Sequence, residues 1–220
     1  MTMQPYNGIV IIPPYRALLL AQTKVASTSL AFVAAKLAGH TISERGDGPA
    51  RHRFKTEIPG FDKMAVHALT DHFRFGFVRN PWARLLSAYA FTFADNREKG
   101  LVALPPWFQQ DGRFRLEMTF DDFVEVVAHS EDALLDVHLR SQCSFFRDDA
   151  GRWLPDFLGR IERVAEDWQH ICQRAGFPAI ELPFLNRTKH GHYTQYYGPR
   201  ARELVAHRYA EDVERFSYRF

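Results

Sequence analysis

Ala17-Leu18-Leu19-Leu20-Ala21 runs into Gln22-Thr23-Lys24-Val25-Ala26-Ser27-Thr28 and then into Ser29-Leu30-Ala31-Phe32-Val33-Ala34-Ala35-Lys36-Leu37-Ala38. The first segment is apolar and too short for a stable helix, so it reads as a strand. In the last segment Leu30, Val33, Ala34 and Leu37 share one face, and the spacing predicts a helix over Ser29–Ala38, capped by Ser27 or Thr28 and stopped by Gly39. The turn between them joins strand to helix. Its small residues let the backbone curl, so that successive amides and the helix N-terminus aim at one anion, while Lys24 and the hydroxyls of the turn add donors. This is the composition of a phosphate or sulfate cradle. It is not the G-x-x-x-x-G-K-[ST] loop, because the glycines are missing and the lysine precedes the hydroxyls. Read alone, the same residues also describe a capped helix with a solvated lysine.

A second strand-loop-helix unit lies downstream. Phe73, Phe75 and Phe77 alternate toward one face and Val78 ends the run. Asn80 suits an N-cap and Pro81 the first helical position, which predicts a helix from Pro81 to about Phe93. Arg79 leaves the strand at its carboxyl end, where open α/β sheets place their ligands. Ser87 follows Asn80 by about two helical turns and returns to the same face. A guanidinium and a hydroxyl converging there can grip a phosphate by charge-assisted hydrogen bonds. An arginine near a helix start beside an inward serine is the plainer reading of the same residues.

Outward from these units, Thr41 to Gly60 and Asn96 to Gly112 read as loops. Thr119 with Asp122 resembles a capping box for a helix through Ala128. Val164, Trp168, Ile171 and Cys172 form a helical stripe closed by Gly176, and Leu204, Val205, Tyr209 and Phe216 mark a last helix after Pro199. Short apolar strands alternating with amphipathic helices argue for an α/β fold, a single domain over residues 1–220 with a central, mainly parallel β-sheet flanked by helices.

Composition agrees with one core. The chain has 220 residues, 46% of them hydrophobic. Lys and Arg number 28 against 26 Asp and Glu, an excess too small for a protein that coats nucleic acid, so no nucleic-acid partner is expected. Cys143 and Cys172 lie far apart and give neither a zinc spacing nor a disulfide framework. The apolar Ile9–Ile12 stretch is broken by Pro13 and Pro14, and no segment has the roughly 20 apolar residues of a membrane span. A cytoplasmic location is the expectation.

Taken together, the two loops resemble the cofactor sites of the sulfotransferases that use 3'-phosphoadenosine 5'-phosphosulfate (PAPS), in the carbohydrate branch of that family. Its lysine-led loop, written P-K-x-x-[ST]-[ST], is similar to Thr23-Lys24-Val25-Ala26-Ser27-Thr28-Ser29, with Thr23 in the usual proline position. The family's arginine and the serine eight positions later match Arg79 and Ser87, within Val78-Arg79-Asn80-Pro81-Trp82-Ala83-Arg84-Leu85-Leu86-Ser87-Ala88-Tyr89. Further on, His138-Leu139-Arg140-Ser141-Gln142 looks like the family's His-x-x-x-Gln. Gly159-Arg160-Ile161-Glu162 with Asp167 resembles its Gly-Arg-x-Glu and later Asp, and Asn186-Arg187-Thr188 its late Asn-x-[ST].

The resemblance implies that the domain is P-loop-like, that Thr23, Lys24, Val25, Ala26, Ser27, Thr28 and Ser29 bind the 5'-phosphosulfate and that Arg79 and Ser87 bind the 3'-phosphate. Asn186, Thr188 and Lys189 would approach the nucleotide. PAPS is the implied co-substrate, no metal is required, and the acceptor is a hydroxyl, on a saccharide by analogy with the branch. Lys24 would stabilise charge on the leaving group. A histidine would act as base, with His67 first and His138 second, ahead of His52 and His72. Glu162 and Asp167 serve either as a base or as helix-start anchors. His190 and His192 read as solvated or substrate-facing, and Trp107, Phe108, Trp153, Tyr193, Tyr196 and Tyr197 as either sugar-stacking or core residues. Two other readings share the architecture: a P-loop-like nucleotide kinase, which would need a Walker lysine and a magnesium-binding acid, and a catalytically inactive nucleotide- or sugar-binding module. Oligomeric state is not set by any of these features.

Overall fold

The structure, a computed structural model, describes residues 8–39, 69–94, 98, 100, 103–105, 108, 112–183 and 190–220. Ala17–Leu20 forms strand β2, with every residue buried. Burial on both faces accounts for an unbroken apolar run where a half-exposed strand would alternate. Strand β1 (Ile9–Ile12) runs antiparallel to β2, while β3 (Phe73–Val78) is parallel to β2 and β4 (Phe157–Arg160) is parallel to β3. The order is β1-β2-β3-β4, a mainly parallel sheet of the α/β class. Helices α1 (Ser27–Leu37), α2 (Pro81–Tyr89), α3 (Phe120–Ala128), α4 (Val164–Ala175), α5 (Pro199–Arg208) and α6 (Ala210–Arg215) accompany it.

The chain divides into two compact units, Met1–Val78 with Ser144–Asn186 and Arg79–Cys143 with Arg187–Phe220. In the first, Leu19 of β2 and Phe75 and Phe77 of β3 pack with Leu30, Val33, Ala34 and Leu37 of α1 and with Trp168 and Ile171 of α4. These are the helix faces that the spacing predicts. The Trp168 indole donates to the Ile180 carbonyl at 2.7 Å, so its polar edge is satisfied within the core. Gly176, at φ 69°, ends α4 in the left-handed conformation that favours glycine. In the second unit, Tyr89, Phe93, Phe108, Phe114 and Phe123 form a cluster of rings with centroids 5.2–6.5 Å apart. The capping box expected at Thr119 and Asp122 is present in both directions.

Several expectations need correction. Ile9–Ile12 is a strand: Pro13–Tyr15 makes a 3-10 turn and Arg16, at φ 47°, reverses the chain into β2, so the prolines are a hairpin turn and not merely a break. Helix α1 begins at Ser27, because the left-handed turn that starts it falls at Ala26. Helix α2 closes at Tyr89 and passes into a π-helical turn, Ala90–Ala94, where the Tyr89 and Phe93 rings stack at 5.2 Å. Glu98 and Phe108, inside the stretch read as a loop, are helical. The last helix is two, broken at Tyr209, whose buried hydroxyl donates to the Leu139 carbonyl at 2.7 Å. Thr41–Gly60 lies outside the described residues.

Both cysteines are free thiols, pushed up by burial, Cys143 well above the thiol range and Cys172 to about 11. Among the described residues no helix is long and apolar enough to cross a membrane, and no group of three or more His, Cys, Asp or Glu side chains is placed to hold a metal ion.

Two glycines let the parallel strands close. A Cβ on Gly76 would stand 2.8 Å from the Leu20 carbonyl oxygen, and one on Gly159 would stand 2.5 Å from the Phe77 ring. Overpacking of this kind costs about 1–3 kcal/mol. Gly159→Ala should lower stability in denaturant by that amount, whereas Gly112→Ala, with open space around it, should stay within about 0.5 kcal/mol of the parent. Equal midpoints for the two variants would show that the Phe77 ring does not rest on Gly159.

Candidate active site

In the first unit the β2–α1 turn is held from below. Gln22, fully buried, donates from Nε2 to the Phe77 carbonyl at 2.7 Å and so ties the turn to the carboxyl end of β3. Val25 is also buried, its side chain in the core cluster. It contributes backbone, not side chain, to anything bound above the turn. Between these anchors Lys24 has φ 65° and Ala26 has φ 55°, so the sign of φ alternates across Lys24, Val25 and Ala26. That conformation costs a residue with a Cβ about 1–2 kcal/mol. Alternation of this kind turns successive amides toward one concavity, the geometry of a backbone anion nest. Strain concentrated in one turn is the kind found where a site is pre-shaped.

The N-cap of α1 is Ala26, with Ser27 and Thr28 in the first turn, so the expected serine or threonine cap is not there. Ala26 carries no oxygen with which to satisfy the helix start, and Ser27, Thr28 and Ser29 bring their hydroxyls to the first turn. No acidic residue lies in that turn to compete with an incoming anion. Thr23, Ser27 and Ser29 are buried, while Lys24 and Thr28 are half-buried. The donor set is an ammonium, hydroxyls and amides, which can hold an anionic group without a metal.

In the second unit Asn80 caps α2 as predicted, its Oδ1 accepting from the Trp82 and Ala83 amides at 3.1 and 3.3 Å. Its Nδ2 donates to the Arg219 carbonyl at 2.9 Å, fixing the C-terminal segment. Arg79, half-buried, immediately precedes this cap, and Ser87 lies on α2 at 3% exposure. The Arg79 peptide is gripped on both sides by one side chain: Gln142 Oε1 accepts from its N–H at 2.9 Å and Gln142 Nε2 donates to its carbonyl at 2.8 Å. Arg84 is a core cation. It donates to the Arg140 carbonyl at 2.8 Å, and burial lowers its pKa against the pull of Tyr209, Asp212 and Asp132. Gln142 stands out in the sequence only as the end of His-x-x-x-Gln, since a contact across 63 residues has no local signal.

The same stretch carries His138. Its Nδ1 lies 2.5 Å from Asp136 Oδ1, and the Asp136 side chain is 7% exposed. A carboxylate only accepts, so Nδ1 carries the proton of this bond. His67, His52, Asn186, Arg187, Thr188, Lys189 and Trp107 lie outside the described residues. His72 pairs with Asp71 at 2.7 Å, and burial, followed by the nearby Arg16 charge, lowers its pKa. Asp167 Oδ2 accepts from the Arg160 amide at 2.6 Å and from Arg163 Nε at 3.1 Å, the contacts of a helix-start anchor. Of the aromatic residues, Phe108 is buried in the ring cluster. Tyr197, half-buried, donates to the Trp82 carbonyl at 2.9 Å, and burial pushes its phenol well up. Tyr196 is 41% exposed.

Among known proteins, the family model described as "Sulfotransferase family" matches residues 7–219. The chain is similar to carbohydrate sulfotransferase 14 of Danio rerio, 26% identical over 182 residues that make up 77% of this chain and 48% of that protein. It therefore spans about half the length of the curated relative it matches. No solved structure matches the chain.

The strained turn makes its own prediction. Ala26→Gly should raise the unfolding free energy by about 0.5–1 kcal/mol, since glycine relieves the left-handed penalty, and Ala26→Val should lower it. Thermal melts of the three proteins measure this; a glycine variant no more stable than the parent would show that the turn is not strained.

Proposed function

Because the chain belongs to the sulfotransferase family, we propose that it transfers a sulfuryl group from PAPS to an acceptor hydroxyl on a carbohydrate or glycoconjugate. The observation that carries the donor assignment is the β2–α1 turn, where alternating φ at Lys24 and Ala26, an N-cap without a side-chain oxygen and the Lys24 ammonium all favour one anionic group. PAPS supplies an activated sulfuryl group when bound. The turn residues Thr23, Lys24, Val25, Ala26, Ser27, Thr28 and Ser29 take its 5' end, and Arg79 with Ser87 take the 3'-phosphate. Asn186, Thr188 and Lys189 belong to the same assignment. The printed name of the Danio rerio relative supports a saccharide acceptor.

The chain's own groups then have distinct roles. Lys24 and the turn amides stabilise negative charge that grows on the departing oxygen, which is worth on the order of 10²-fold or more per donor. Arg79 binds rather than reacts, and its bidentate fork suits a phosphate. A histidine takes the acceptor proton, with His67 and His138 as the two positions. Asp136 favours His138, because a carboxylate on Nδ1 orients the ring and stabilises the charge formed when Nε2 accepts a proton.

The test is calorimetric titration, without added metal, with 3'-phosphoadenosine 5'-phosphate, AMP and ATP. The 3'-phosphorylated nucleotide should bind best, and Arg79→Ala should raise its Kd roughly 10- to 100-fold while hardly changing that of AMP. Magnesium-dependent ATP binding would instead favour a kinase. With PAPS and a saccharide acceptor, Lys24→Ala should cut turnover more than nucleotide affinity, the reverse of Arg79→Ala. If His138 is the base, single-turnover rates should fall about 10²- to 10⁴-fold in His138→Ala and less in Asp136→Asn; an unchanged rate in His138→Ala removes it as the base, and His67→Ala is then read in the same way.

A further inference from the structure

We infer that Gln142, itself set by the buried carboxylate of Asp212, is a positioning residue that aims Arg79 at the 3'-phosphate; the inference rests on the assignment of Arg79 to that group. Arg79 lies between the end of β3 and the start of α2, and its peptide belongs to neither ladder. A primary amide matches such a peptide in both senses, accepting from its N–H and donating to its carbonyl, and the orientation of the Gln142 amide follows from those two partners. Asparagine is one methylene shorter, and glutamate at neutral pH has no proton for the carbonyl.

Gln142 is itself fixed. Asp212, fully buried on α6, accepts from Ser141 Oγ at 2.8 Å, from the Gln142 amide at 2.8 Å and from the Cys143 amide at 2.9 Å. Asp132 holds the Ser141 amide at 3.0 Å, and the Tyr209 hydroxyl and the Arg84 guanidinium take the carbonyls of Leu139 and Arg140. The loop that grips Arg79 therefore has little freedom of its own. Fixing the Arg79 backbone fixes the direction in which its side chain leaves, so less conformational freedom is lost when the guanidinium meets an anion. Gln142 and Asp212 thus act on the ligand through Arg79 alone, and their loss should touch the 3'-phosphate and spare the rest of the nucleotide.

The experiment compares the full chain with Gln142→Met, Asp212→Asn and Ser141→Ala, titrating each with 3'-phosphoadenosine 5'-phosphate and with AMP, alongside thermal melts. Gln142→Met, similar in length but without the paired bonds, should lose about 10-fold of the preference for the 3'-phosphorylated nucleotide, with AMP affinity unchanged. Asp212→Asn and Ser141→Ala should each lose part of it. A folded Gln142→Met that keeps the parent's preference, while Arg79→Ala loses it, overturns the inference and leaves the Arg79 assignment intact. If Gln142→Met does not fold, Asp212→Asn and Ser141→Ala take its place, and full preference in a folded one of these overturns the inference. A parent chain without any preference overturns the Arg79 assignment and this inference with it.

Discussion

The carboxylate of Asp212 is the constraint on which the second unit turns. It is shielded from water and accepts three hydrogen bonds from consecutive residues, Ser141, Gln142 and Cys143. Hydrogen bonds to a buried charge are worth about 1.5–3 kcal/mol each, and a buried charge left without them is far more costly than a neutral group. The loop has to come to the carboxylate. Once it does, Leu139, Arg140 and Gln142 have fixed positions, and their partners follow: Tyr209, which breaks α5 from α6, Arg84 in the core of α2, and Arg79 at the head of α2. The thiol of Cys143 records the same environment, because burial and the adjacent Asp212 hold it far above the range in which a thiolate forms.

The first unit reaches an anion-directed turn by other means. The β2–α1 turn is pinned by an apolar plug, Val25, and by the Gln22 bond to the Phe77 carbonyl, while Lys24 and Ala26 adopt strained backbone. The strain is sustained because the sheet beneath is closely packed. Gly76 and Gly159 let β2, β3 and β4 approach without a Cβ between them, and the aromatic residues of β3 close the core over α1 and α4. One unit therefore points donors by bending the backbone and the other by clamping it.

Much of this is legible in the sequence, for local reasons. Helix faces recur every three or four residues, caps are set by single side chains such as Asn80 and Thr119, and the Gly176 stop needs only its own φ. The apolar run Ala17–Leu20 and the alternating phenylalanines of β3 declare strands directly. The polar turn and Val78-Arg79-Asn80-Pro81 mark where strands hand over to helices, which is where an α/β sheet binds ligands. Residue types in register along the chain are enough to determine the fold class, the family and the candidate anion-binding side chains.

Tertiary structure decided the rest. β1 is a strand because Arg16 reverses the chain beside β2, and β4 because it finds the edge of β3; neither Ile9–Ile12 nor Phe157–Arg160 is distinctive alone. The Ala26 cap depends on a backbone conformation that serine and threonine nearby would not lead one to expect. Asp167 as an anchor, Asp136 against His138, and the Asp212–Gln142–Arg79 chain all join groups whose meaning lies in their partners. The sequence by itself determined which residues carry charge and which segments fold into strand or helix, since those follow from side-chain chemistry and short-range periodicity. Only the tertiary structure decided which polar groups are buried together, because a hydrogen bond between residues 63 or 70 positions apart leaves no pattern in the chain that joins them.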